Sequence, residues 1–143
     1  MSGQPKQQLN LMQIQADIYL ANSAVEEALK RTPKAAKYLK GQAGYHIQQA
    51  AEKMVKIQMY QLCNKLNYSK MYKHSIDDLL IYSKSLGLNL IVPDYVDKYK
   101  TVISSWEAEG RYDIHFVVRM PQLQKALDEV KNWLQLLKNA GYN

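Results

Sequence analysis

Cysteine occurs once, at Cys63, so no internal disulfide can form and a thiolate-based metal site is out of reach. A reduced, cytoplasmic setting fits that scarcity. Cys63 follows Leu62 on an expected helix with no sign of activation around it, and it reads as an inert thiol. Long apolar runs are missing as well. No stretch approaches the roughly 20 residues a membrane span needs, and the opening Met-Ser-Gly-Gln-Pro-Lys-Gln-Gln has no greasy core behind a basic start. A soluble chain with no membrane association is expected. The histidines, His46, His74 and His115, fall in different segments, so no His/Cys/Asp/Glu group has metal-ligand spacing, and neither metal nor cofactor is expected. Glycine is sparse, and Gly41 and Gly44 have neither a P-loop lysine nor dinucleotide-binding spacing.

What is present is a chain of 143 residues, 47% of them hydrophobic, enough for one ordinary domain with a real core. A single domain is expected over 1–143, frayed over about residues 1–8. Nineteen Lys plus Arg against thirteen Asp plus Glu give a formal charge of +6, which favours phosphates or nucleic acid as partners. Lys30, Arg31, Lys34, Lys37 and Lys40 form one basic cluster and Lys65, Lys70 and Lys73 another; a solvated helix face and linker would look the same.

Helical periodicity runs through the chain. Leu11, Ile14, Ile18, Ala21, Val25 and Ala28 recur at steps of three and four, and Thr32 before Pro33 is an N-cap followed by proline at the first helical position. The second helix should continue nearly unbroken to about Leu66, loosened or bent at Gly41 and Gly44. Its central stretch, Tyr45 to Leu62, puts Ile47, Ala50, Ala51, Met54, Ile57 and Leu62 on one side and Gln49, Glu52, Lys53 and Lys56 on the other, expected to be wet. Gln58 and Gln61 lie among the apolar positions, so they should face a partner helix, a second subunit or water. The pattern fails from Asn67 to Lys73. Ser75 then caps a helix carrying Ile76, Leu79, Leu80 and Leu86 to a stop at Gly87. Pro93 and Asp94 open another with Val96, Tyr99, Val102 or Ile103, and Trp106, ended by Gly110. A last one opens near Pro121 and carries Leu123, Leu127, Val130, Leu134 and Leu137, with Trp133 flanking, to Gly141. Leu88 to Val92 and Phe116 to Val118 are the only strand-like runs, too short for a sheet. The expected class is all-α, an up-and-down bundle of four to five helices joined by short connections.

Eleven tyrosines raise the question of base stacking, yet Tyr19, Tyr38, Tyr60, Tyr82, Tyr95 and Tyr99 fall within expected helices, where core packing is the better reading for most. Glu109-Gly-Arg-Tyr-Asp-Ile-His115 differs, because it places Arg111, Tyr112, Asp113 and His115 in a short connection. An arginine holds phosphate in bidentate fashion and a histidine exchanges a proton near neutral pH. A salt bridge of Arg111 to Asp113 or Glu109 would use the same residues structurally.

Three motifs in register bring a family into view. Gln48-Gln-Ala-Ala-Glu-Lys-Met-Val-Lys56 resembles the Gln-Gln-Ala-x-Glu-Lys-x-x-Lys signature of the HEPN domains, the nucleotide-binding domains of higher eukaryotes and prokaryotes. His74-Ser-Ile-Asp-Asp-Leu-Leu80 is similar to their His-x-Leu-x-x-Leu element, and Arg111-Tyr112 to the start of their Arg-Tyr-Pro motif. The resemblance implies a helical bundle, usually a homodimer, whose relatives often accompany a minimal nucleotidyltransferase in bacterial toxin-antitoxin pairs. It further implies a nucleotide- or RNA-binding cleft at Arg111, Tyr112, His115 and His74. Some HEPN proteins are metal-independent ribonucleases that use an arginine and a histidine, for which Arg111 and His115 are the catalytic candidates. Here three residues separate the pair, one fewer than in the nuclease motif, and Asp113 stands where proline is usual. The resemblance therefore implies a binding module first, with a ribonuclease and a non-catalytic structural dimer as the alternatives.

Overall fold

The computed structural model describes residues 9–107 and 118–143. Among them the chain forms six helices and no strand: α1 (Leu11–Leu29), α2 (Pro33–Leu62), the single turn α3 (Tyr68–Met71), α4 (Ile76–Ser85), α5 (Asp94–Ser105) and α6 (Met120–Asn139). The all-α class expected from periodicity is the class adopted.

Local chemistry sets most boundaries. Asn10 caps α1 by accepting from the backbone N–H groups of Met12 and Gln13, and Gln13 accepts in return from the Asn10 N–H, a reciprocal box the periodicity alone does not show. Thr32 caps α2 with Pro33 at its first position, and Ser75 caps α4 by accepting from Asp78. Gly87 and Gly141 stand just past α4 and α6 with φ of +74° and +92°, a conformation a side chain would strain. The break expected from Asn67 to Lys73 contains the turn α3, capped by Asn67. No periodicity can announce one turn of helix.

Side-chain bonds fix the directions of the helices. Asp17 of α1 faces His46 and Lys53 of α2 across a short connection, while Asn22 accepts from Lys131 of α6 and the Leu11 N–H donates to the Asn143 carbonyl. So α1 is antiparallel to both α2 and α6. The chain then departs from a strict up-and-down order. The His74 carbonyl, just before α4, accepts from Gln48 at 2.7 Å, whereas Ile91, beyond α4, is held by Gln58. Hence α4 advances along α2 in the same direction, and residues 63–75 carry the chain back between them. Such a connection is long enough for a return. α5 runs antiparallel to α4, with Thr101 donating to Asp77 and Ser104 accepting from the Ile76 N–H.

The 30-residue α2 is the centre of the core and is covered on nearly every side. Ile47, Ala50, Ala51, Met54 and Ile57 are buried as expected, and so are Val55 and Met59. The side expected to be wet is not. Glu52 and Lys56 are each only 2% exposed, Lys53 and Gln49 are half-buried, and Leu62 and Gln61, past the end of the packed region, are exposed. α1 takes one flank and α4 the other, so the polar residues meet partners instead of water. Gln58 also finds its partners within the chain. Its amide donates to the Ile91 carbonyl (2.9 Å) and the Met54 carbonyl (3.1 Å) and accepts from the Ile91 N–H (2.7 Å). The same Ile91 carbonyl accepts from the Trp133 indole at 2.7 Å, so Trp133 is a fully buried pin and not a flanking residue. Gly41 and Gly44 do not interrupt α2. A Cβ on Gly44 would stand 3.2 Å from Cγ of Trp106, so this glycine admits the indole. Among the tyrosines, Tyr82 is buried and Tyr60, Tyr95 and Tyr99 pack on the core, but Tyr19 and Tyr38 project into solvent.

Candidate functional site

Gln48, Glu52 and Lys56 are spaced four apart, which lines their side chains along one seam of α2. That seam faces the segment leading into α4. Glu52, with its side chain 3% exposed, stands at the middle: Oε2 accepts from Lys56 Nζ at 3.0 Å, and Oε1 accepts from Gln48 Nε2 at 3.2 Å and lies 2.9 Å from His74 Nδ1. Gln48 donates as well to the His74 carbonyl and accepts from Gln49. Each polar atom of this inner group has a partner, as burial demands.

His74 differs from the rest, since its side chain is 39% exposed. A carboxylate can only accept, so the Glu52 contact places a hydrogen on Nδ1 of His74. The remaining nitrogen, Nε2, has no protein partner among the described residues; it accepts when the ring is neutral and donates when the ring is protonated. Gln48 fixes the backbone of His74 while Glu52 fixes its ring. The result is an imidazole oriented through Nδ1 by a buried carboxylate while its side chain stays 39% exposed.

A second ion group lies on the α1 side of α2. Asp17, buried, accepts from Lys53 Nζ at 2.6 Å and faces His46 Nδ1 at 3.1 Å. It ties α1 to α2, and its histidine is less exposed than His74, at 19% against 39%.

His74 is the one expected site residue that lies among the described residues. Arg111, Tyr112, Asp113 and His115 lie outside the described residues. The element that leads to them is described: α5 ends at Ser105, and Ser104 accepts from the Ile76 N–H at the start of α4, two residues from His74. Trp106, buried against Gly44, anchors the same end. Among the described residues no group of three His, Cys, Asp or Glu side chains is arranged to hold a metal ion, and no helix is long and apolar enough to cross a membrane. Cys63 is the C-cap of α2 and half-buried. The sequence motif contains Gln48, Glu52 and Lys56, but periodicity assigns the two charges to solvent. The signal against that assignment lies in Val55 and Met59, apolar residues that extend the buried arc of α2 toward Glu52.

Comparison with protein-family models, with curated proteins and with solved structures finds no match to this chain.

Proposed function

We propose that the chain is a HEPN-type binding module that takes up nucleotide or RNA phosphates at the His74 end of α4, together with Arg111, Tyr112 and His115. The observation that carries this reading is the pairing of a buried Glu52 with a half-exposed His74. A buried ion pair such as Glu52–Lys56 adds little stability over apolar residues of the same size. What it does supply here is a rigid hold on one surface imidazole. The residues that do this are those of the motifs resembling the HEPN signature, and the basic balance of the chain suits an anionic ligand.

Binding without cleavage is the first expectation. Incubation of the protein with single-stranded RNA in EDTA should leave the RNA intact while a complex forms. Cleavage in EDTA that disappears in His115→Ala would replace this reading with a metal-independent ribonuclease, His115 acting as general acid or base and Arg111 stabilising the phosphorane-like charge.

The homodimer and the minimal nucleotidyltransferase partner belong to the same proposal. Gln58 does not call for a second subunit, since Ile91 satisfies it. Met12, Tyr19 and Leu20, exposed on α1, are the apolar surface such a partner would cover. Sedimentation at concentrations well above micromolar tests the dimer, which should run at twice the chain mass.

A further inference from the structure

The connection that returns the chain from α2 to α4 combines cations, aromatic rings and clefts. From Lys53 to Ile76 there is no acidic residue, and residues 63–75 carry Lys65, Lys70, Lys73 and His74 interleaved with Tyr68 and Tyr72. Two clefts flank the turn α3 at its centre. One, of about 280 Å³, is lined by Lys70, Lys73, Asp78, Ile81, Tyr82 and Ser85. The other, of about 180 Å³, lies among Tyr60, Leu66, Tyr68 and Met71. Lys53, Lys56, Lys100 and Lys125 are each held by a carboxylate, whereas Lys70 and Lys73 have no carboxylate partner among the described residues. Lys70 instead lies 5.3 Å from the centre of the Tyr82 ring, which orients it along the first cleft. Tyr68 is 52% exposed and meets Tyr72 edge to face, with ring centres 4.7 Å apart. A large ring kept at the surface by a neighbouring ring is a platform, and the lysines of the first cleft, on the same short connection, supply charge.

We propose that residues 63–75 form a contact surface for single-stranded nucleic acid, with backbone phosphates on Lys70 and Lys73 and one base against Tyr68. This rests on the reading of the protein as an RNA-binding module and extends its site from His74 along α3. Single strands are favoured over duplexes because a base reaches an aromatic side chain in a cleft only when it is unstacked. Cations without a carboxylate and an exposed ring on one short connection are the combination such strands use.

The probe is a fluorescein-labelled uridine decamer, titrated at several salt concentrations and followed by anisotropy. For single strands the logarithmic salt slope falls by roughly 0.7 for each phosphate that a lysine ceases to neutralise, so Lys70→Ala/Lys73→Ala should reduce it by about 1.4. Tyr68→Ala should weaken binding about tenfold with the slope unchanged, and Tyr68→Phe should restore it, since stacking needs the ring and not the hydroxyl. All three side chains are exposed, so thermal midpoints should stay near wild type. Lys34→Ala/Lys37→Ala, at the far end of α2, should change the slope less. The proposal is overturned if that pair lowers the slope as much as the Lys70/Lys73 pair, or if Tyr68→Ala binds like wild type. If the decamer binds and only His74→Ala or Arg111→Ala weakens it, this surface is wrong and the module reading survives. If wild type does not bind it at all, both fall.

Discussion

Oε2 of Glu52 accepts from Lys56 Nζ at 3.0 Å while Oε1 of the same carboxylate lies 2.9 Å from His74 Nδ1, so one buried acid links a buried ammonium to a surface imidazole. Removing the ammonium leaves that acid without its counter-charge. Lys56→Met should therefore destabilise the fold by about 3–5 kcal/mol, the usual cost of leaving a buried charge unpaired. Replacing both ions, as Glu52→Leu/Lys56→Met, should recover much of the loss while freeing the His74 ring. Urea denaturation midpoints of the two variants check this, and equal midpoints would mean the pair is solvated.

A second group of bonds holds the segment between α4 and α5. Gln58 exchanges two hydrogen bonds with Ile91, and Trp133 adds a third to the same carbonyl. Gln58→Leu leaves the Ile91 N–H unpaired in a half-buried place, at a cost of about 1–3 kcal/mol. Trp133→Phe removes one of two donors from a carbonyl that keeps the other, so its hydrogen-bond share of the loss should be smaller, near ~1 kcal/mol. Hydrogen exchange at the Ile91 amide should accelerate strongly in the first variant and little in the second.

Much of this is legible in the sequence. Proline, serine and threonine at helix starts and glycine at helix ends act through local geometry, so Thr32, Ser75, Gly87 and Gly141 mark boundaries the structure keeps. Gln58 reads as a buried amide that needs a partner, but the partner itself cannot be read: a loop backbone thirty-three positions away leaves no local trace. Glu52 and Lys56 fall on the wet side of a helix wheel because a wheel knows one neighbour, whereas α2 has neighbours on several sides. Gly44 reads as a weak point because the tight approach of Trp106 depends on tertiary packing.

That approach gives a stability prediction. Gly44→Leu drives a side chain into Trp106, itself 2% exposed and unable to retreat. Overpacking of this kind costs about 1–3 kcal/mol, more than the roughly 1 kcal/mol gained from helix propensity. Ala51→Leu, also at a fully buried position, should behave alike. Lys53→Leu should cost something too, because Asp17 loses its closest cation. Thermal midpoints below wild type for all three are expected.

Alkaline pH should expose the tyrosine cluster at the end of α2. Burial raises the Tyr60 phenol above the usual tyrosine range, and the nearby Tyr68 and Glu52 add to it. A phenol whose folded pKa lies above its unfolded one leaves stability intact below about pH 10 and withdraws it as pH rises through the folded value. Stability should fall above about pH 10, and Tyr60→Phe should flatten that fall. Denaturation midpoints measured between about pH 9 and pH 11 compare the two.

The most direct test of the binding reading is the affinity of single-stranded RNA in EDTA for wild type and for Arg111→Ala, measured beside the melting temperature of each. Loss of a charge-assisted contact worth about 1.5–3 kcal/mol should weaken binding at least tenfold and leave the melting temperature nearly unchanged. His74→Ala should weaken binding in the same sense. A fall of many degrees in the melting temperature of Arg111→Ala with affinity intact would make Arg111 a structural ion-pair partner and contradict the account.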